Sequence, residues 1–380
     1  MKVEVAPELL RWAVERAGYS ESALARRFPK LGQWLRGEDR PTLKQLERLA
    51  QATHAPVGYF FLQEPPHETV PIPDLRTIGN VHIERPSPDL LDTIYLCQQR
   101  QEWYREYAQA TGEPPLDFVG SVRQTDDVAT AAERIRTALG FSIEERRQLP
   151  TWTDALRRFI EQADAVGVLV MVNGVVGSNN RRKLDPAEFR GFALSDPMAP
   201  LVFINGSDTK AAQMFTLAHE LAHIFLGESA LSDVGPDTVP SHEVERWCNA
   251  VAAELLVPLS ELQASLRPRE PLRETLDRLA REFKVSTLVI LRRLYDAGRL
   301  TRHQLSVEYE AELSRLREIP RVTGGDFYRT TTMRVGERFA RAVVTATLEG
   351  RASFTEASRL LGFRKMASFH KLAESLEVAV

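Results

Sequence analysis

The chain has 380 residues, 43% hydrophobic and 27% charged, with a formal net charge of -3. That length calls for two or three domains with a sizeable core, and that composition excludes wholesale disorder and a globally basic nucleic-acid binder. Two cysteines, Cys97 and Cys248, exclude a disulfide scaffold and fit a cytoplasmic, reducing compartment; neither a signal peptide nor a membrane span is expected.

Residues 1–65 read as a bundle of short helices. Leu9, Leu10, Ala13 and Val14 line one face, and Ser20 with Glu21 starts a second helix carrying Leu24 and Ala25. Trp34, Leu43, Leu46 and Leu49 continue the pattern, with Pro41-Thr42 opening a further helix. Prolines at 65, 66, 71, 73 and 86 mark residues 66–87 as an extended linker laid over the next domain.

Three helices follow. Leu91, Ile94, Cys97, Tyr104 and Tyr107 mark the first; Val128, Ala132, Ile135 and Leu139 the second; Trp152, Leu156, Phe159 and Ile160 the third, N-capped by Thr151. Residues 167–173, 191–195 and 200–205 read as strands. A helix carrying two histidines comes next, then a loop with Gly235, Pro236 and Pro240, then a helix over 243–257 stopped by Pro258. Residues 260–380 look almost wholly helical, punctuated by Gly324-Gly325.

The chemistry concentrates in His219-Glu220-Leu221-Ala222-His223. Residues four apart lie on one helix face a turn apart, so His219 and His223 can grip one ion. Imidazole nitrogen suits Zn²⁺, and a catalytic zinc takes three protein ligands and leaves a position open for water. Glu220 stands where its carboxylate reaches that water as general base. By chance, a His-acid-x-x-His pattern would arise in a chain of this composition with odds of roughly 2%, and the apolar residues around it give the texture of a buried helix. The alternative is a pair of satisfied core histidines.

A third ligand must come from farther on, because position 229 is a serine rather than a third histidine. The helix over 243–257 offers Glu243, Glu245 and Glu254. Glu245 shares its face with Cys248, Asn249, Ala252 and Leu256, small or apolar residues that let one helix approach another, whereas Glu243 and Glu254 suit solvent. Glu245 is favoured, with Asn249 one turn on as a residue that can hydrogen-bond a ligand and Cys248 as a small core residue. For the oxyanion, His242 and Tyr328 are the candidates. The strand over 200–205 is expected to present an edge to an extended peptide, with an internal strand as the alternative.

The spacing resembles metallopeptidases in which a glutamate some twenty residues after the second histidine completes the site. More closely, residues 189–258 resemble the ImmA/IrrE family of bacterial zinc peptidases. The resemblance rests on Arg190-Gly191-Phe192-Ala193-Leu194-Ser195-Asp196, on Phe215-Thr216-Leu217-Ala218 before the histidine pair, and on Glu245-Arg246-Trp247-Cys248-Asn249-Ala250 through Pro258. It implies an α+β, mainly helical multi-domain chain with a zincin-like peptidase core, a small sheet plus the active-site helix. It also implies His219, His223 and Glu245 as zinc ligands, Glu220 as general base, and regulated cleavage of a repressor or antitoxin-like partner. Some relatives with this layout look like parts of phage-defence or toxin–antitoxin systems. Trp247 departs from the family, where many members carry a second glutamate.

Residues 17–50 resemble an Xre-type helix-turn-helix: Ala17-Gly18-Tyr19-Ser20, Leu24-Ala25, Trp34-Leu35-Arg36-Gly37 and Pro41-Thr42-Leu43-Lys44-Gln45-Leu46. Between Leu24-Ala25 and Trp34 the chain is about four residues short, which removes roughly one turn from the helix that would enter the major groove. Arg26, Arg27 and Lys30 remain as phosphate contacts, yet residues 1–65 hold ten Lys/Arg against eight Asp/Glu, a weak excess for a DNA binder. A protein-binding or dimerising module is the alternative. Leu276–Leu300 resembles the helix-turn-helix subdomain that follows the peptidase core in the family, with Lys284-Val285-Ser286 as its turn and Arg292 and Arg293 as exposed cations; a small bundle packing on the peptidase is the alternative. Thr355–Leu376 is a third such candidate, within a tail that resembles the C-terminal extension of long members.

The expected domains are therefore 1–65, 66–87 (linker), 88–260 (peptidase), 261–303 and 304–380. The expected function is a zinc endopeptidase acting on a specific protein partner, with DNA as a further partner, a homodimer as an open state and no membrane. Two rivals stand beside it: a DNA-binding regulator with a structural or sensing zinc, and the toxin of a toxin–antitoxin pair.

Overall fold

The computed structural model describes residues 2–76, 86–232, 242–318, 332–363 and 365–378. Gly324, Gly325, Tyr328 and the loop glycine and prolines at 235–240 lie outside the described residues. The fold is α+β and mainly helical, with one four-stranded mixed sheet. It divides into two compact units, residues 1–71 with 83–94, and residues 72–82 with 95–380. Among the described residues no helix is long and apolar enough to cross a membrane.

The first unit is a bundle of α1 (Pro7–Arg16), α2 (Glu21–Ala25), α3 (Leu31–Leu35) and α4 (Leu43–Thr53), closed by a 3₁₀ turn over Val57–Phe61. Its core gathers Leu10, Ala13, Val14, Leu24, Trp34, Leu46 and Leu49, the periodic positions of the sequence. Ser20 caps α2 by accepting from the Ala23 amide, and Thr42 and Gln45 form a reciprocal capping box on α4. α3 is only five residues long.

The described part of the proline-rich segment is held at two places. Glu68 pairs with Arg16 at 2.5 Å within the first unit. Residues 73–75 lie within the second unit instead, bonded to the strand at Leu231.

Besides residues 72–82, the second unit takes up α5 (Pro88–Thr111) from Tyr95 on and continues through α6 (Val128–Leu139), α7 (Ile143–Gln148) and α8 (Trp152–Ala165), the last capped by Thr151 as the sequence requires. The sheet is built from β1 (Leu169–Asn173), β4 (Gly191–Leu194), β5 (Leu201–Asn205) and β6 (Ala230–Ser232), in the order β1-β5-β4-β6; β2 (Val175–Val176) and β3 (Asn179–Lys183) form a separate hairpin. β1 and β5 are parallel, with Leu169 opposite Leu201, while β4 runs antiparallel to both β5 and β6.

β5 is thus an interior strand, paired on both sides, and it does not present the edge expected of residues 200–205. Its run Leu-Val-Phe-Ile-Asn is buried at every position, the pattern of a strand covered on both faces rather than of an edge. The edge strands of the sheet are β1 and β6, and the three residues of β6 are too few to show a period.

Side-chain alternation sorts the sheet. Val170, Val172, Ala193, Val202 and Ile204 face the large core shared with α9 (Lys210–Leu226), while Phe192 and Phe203 stack 5.0 Å apart on the opposite face. Beyond α10 (Glu243–Leu256) and α11 (Leu259–Ser265), the helices α12 (Leu272–Phe283) and α13 (Thr287–Asp296) join that same core through Leu276, Leu279, Phe283, Leu291 and Leu294. The turn between them is the expected Lys284-Val285-Ser286, with Lys284 left-handed at φ 53° and Ser286 capping α13. Arg292 is exposed but Arg293 is buried, donating to the Val257 carbonyl at 2.8 Å and pairing with Glu254; this corrects the expectation of two exposed cations. The chain continues through α14 (Arg302–Glu318), α15 (Glu337–Leu348), α16 (Phe354–Leu361) and α17 (Met366–Ser375).

Candidate metal centre

α9 forms because Thr209 caps it, accepting from the Ala212 amide, and because it can bury residues on every side. Gly227, left-handed at φ 79°, ends it. The helix packs between the sheet and α10. Gly191 on β4 makes this approach possible, since a Cβ there would lie 2.6 Å from Thr216 Cγ2, 2.8 Å from the Phe203 carbonyl and 3.0 Å from Glu220 Oε1. On the other side the small residues Ala218, Ala222, Cys248 and Ala252 are wholly buried in the common core.

This packing brings His219, His223 and Glu245 together, so that one ligand atom from each lies within 4.8 Å of the others. His223 Nε2 is 3.1 Å from His219 Nε2 and 3.0 Å from Glu245 Oε1, and His219 Nε2 is 3.3 Å from Glu245 Oε2. Two nitrogens and a carboxylate oxygen at these separations match a tetrahedron edge of about 3.3 Å, which follows from metal–ligand bonds of about 2.0–2.1 Å. The donor set fits a divalent ion of zinc's type. Glu243 is exposed and Glu254 is engaged by Arg293, so the choice among the three glutamates falls on Glu245.

The electrostatics agree with a site for a cation. Burial works against the charge on Glu245, but the two imidazoles outweigh it and hold its carboxyl well below the ordinary range. Burial lowers His223, the Glu245 bond opposing it and His219 adding to it, and so favours the neutral ring, the form that ligates. Glu220 is buried, and burial together with the Glu245 charge pushes its carboxyl well above the usual range, the Ser232 hydroxyl offsetting this only in part. Neither Glu220 oxygen has a hydrogen-bond partner of full geometry. Burial also raises the Cys248 thiol well above its usual value, so it stays a neutral core group.

Sequence reasoning missed Ser232. Its hydroxyl is 3.3 Å from Glu245 Oε1 and 3.5 Å from His223 Nε2, and β6 pairs it with Gly191 on the face toward α9. A serine nine residues past a histidine carries no periodic signal; the pairing of β6 with β4 alone brings it here. The supporting bond expected from Asn249 is not formed, its Oδ1 being buried without a partner. The ring nitrogens that face away from the cluster, Nδ1 of His219 and His223, are likewise buried without partners.

His242 is exposed at the N-cap of α10 and lines a cavity of about 460 Å³ with Ser229, Pro73 and Leu75. Tyr328 lies outside the described residues. In the first unit Arg26 and Arg27 are exposed just past α2, while Lys30 pairs with Asp39 at 3.0 Å.

Residues 163–295 match the peptidase family model described as the IrrE N-terminal-like domain. The match spans the whole sheet, both metal-site helices, α12 and most of α13, and makes this stretch similar to a metallopeptidase domain. Residues 335–375 match a domain of unknown function (DUF8813). No curated protein matches the chain.

Proposed function

We propose that this chain is a zinc endopeptidase of the ImmA/IrrE type that hydrolyses a specific protein partner, a repressor or antitoxin-like protein, in the bacterial cytoplasm. One observation carries the reading: three donor atoms of His219, His223 and Glu245 converge at metal-ligand spacing, beside a Glu220 carboxyl whose oxygens have no protein hydrogen bond of full geometry.

Zinc bound by His219, His223 and Glu245 would supply Lewis acidity to a peptide carbonyl and acidify water in its open position. Glu220 takes the proton from the attacking water on a carboxylate oxygen and returns it to the leaving amide nitrogen. The apolar residues packed around α9 keep competing water from that carboxylate. Glu245 does two jobs, holding the cation and setting the two imidazoles at one distance from each other.

The test is metal content per chain together with Glu220→Gln. The expected result is a chain that binds one zinc in both forms and loses cleavage only in the variant, so that its substrate accumulates in cells carrying Glu220→Gln. The regulator reading wins if Glu220→Gln changes nothing while Arg26→Ala with Arg27→Ala abolishes function.

A further inference from the structure

As described, the metal centre is shut. His219, Glu220 and His223 have no exposed surface and Glu245 has 1%. A peptidase has to admit an extended backbone to this cluster, and β6 is the strand that stands beside it.

β6 ends the sheet, so its outer backbone groups face away from β4 and can pair with a further strand. They are already paired. The Leu231 amide donates to the Pro73 carbonyl at 2.9 Å, the Leu231 carbonyl accepts from the Leu75 amide at 3.0 Å, and Asp74 bridges Leu231 in parallel. This is the bonding by which a peptide adds itself to a sheet edge. The next residue of β6 is Ser232, whose hydroxyl lies against Glu245 and His223. A strand seated on β6 therefore runs one inter-strand step, about 4.8 Å, from the strand that touches the ligands.

The occupying segment is anchored. Arg76 is buried, grips Asp74 through two bonds of 2.8 and 2.6 Å, and donates to the Glu188 carbonyl at 3.3 Å. Leu75 and Pro73 line the 460 Å³ cavity together with Val244 and Ser229.

We infer that the outer edge of β6 is the docking edge for an extended segment of the protein substrate, and that residues 73–75 fill it in cis as a built-in competitor. The inference rests on the peptidase reading for the identity of the ligand. A substrate segment has to displace a strand tethered at high effective concentration, and it places an apolar side chain where Leu75 sits. Latency of the full chain follows from that competition.

The experiment uses the full-length chain and the double variant Leu75→Pro with Arg76→Ala, which removes one ladder donor and the anchor. Hydrogen exchange at the Leu231 amide should speed up by about tenfold or more in the variant. A fluorescein-labelled peptide of residues 71–76 should bind the variant about tenfold or more tighter than the parent chain and restore protection of Leu231. Arg76→Ala alone, which keeps every backbone donor, should give a smaller change in both and carries the test if the double variant does not unfold cooperatively. Unchanged exchange with equal peptide affinity in parent and variants overturns the inference. Neither readout needs metal or turnover, so a chain that binds no zinc sinks the peptidase reading alone.

Discussion

The N-terminal bundle spreads its charges over its surface, where Lys2 and Lys30 share Asp39 and Arg36 meets Glu38, whereas α9 and α10 bury His219, Glu220, His223 and Glu245. Exposed pairs of the first kind contribute about 0–1 kcal/mol each and can be exchanged freely. Buried ionisable groups of the second kind each carry a desolvation penalty of several kcal/mol unless a partner compensates it. Glu245 gets that compensation from two imidazoles; Glu220 gets almost none. The unpartnered Glu220 carboxyl is the feature that the proposed chemistry would account for, and the contrast with the bundle is why that proposal is made for α9 and α10.

The contrast breaks first at the ligands. Glu245→Ala should lower zinc affinity by well over ~100-fold, beyond the loss expected for a merely supporting residue, as read by competition with a chromogenic chelator. Retained affinity would move the centre elsewhere.

Next in size is the packing that holds the site. Leu217 has no exposed surface and lies on α9 beside the ligands in the shared core, so Leu217→Ala should lower the stability of the second unit by about 3 kcal/mol in urea unfolding. A loss below about 1 kcal/mol would mean that Leu217 does not fill a close-packed site.

Asp164 sharpens the comparison from outside the centre. Burial pushes its carboxyl up to about 7, with one oxygen accepting the Arg338 amide at 2.8 Å and the other unpartnered. The unfolded value is near 3.9, so the folded state holds this proton to higher pH. Stability from this group is greatest below the unfolded value and is lost as pH rises through 7. The parent chain should lose roughly 2–3 kcal/mol from this group between pH 5 and pH 8, and Asp164→Asn should not. Parallel pH profiles for the two proteins would refute the assignment.

The smallest effect belongs to the bundle. Thr42→Ala removes one half of the capping box on α4 and should cost about 1 kcal/mol in the unfolding of that unit alone, leaving metal binding untouched.

Much of this was legible beforehand. The convergence of His219, His223 and Glu245 follows from helical spacing and from the small residues on the Glu245 face, and Thr151, Ser20 and Thr42 announce their helices as caps. What failed has a common cause. Asn249 was placed by helical periodicity on its own helix, which does not say where a neighbouring element stands. Residues 200–205 fit an edge or an interior strand by position alone, and only the pairing of β5 with both β1 and β4 decides for the interior. The exposure expected of Arg293 does not hold, because α13 packs on the peptidase core and turns this residue to the Val257 carbonyl and Glu254.

By itself the sequence determined the donor types, their positions along two helices, and the all-round apolar texture that buries one of them, because these depend on residue identity and on the 3.6-residue turn. Only the tertiary structure decided that Ser232 stands against the ligands and that residues 73–75 lie on β6. Both depend on pairing with a three-residue strand, and strand pairing joins positions far apart in sequence through backbone groups that every residue carries alike.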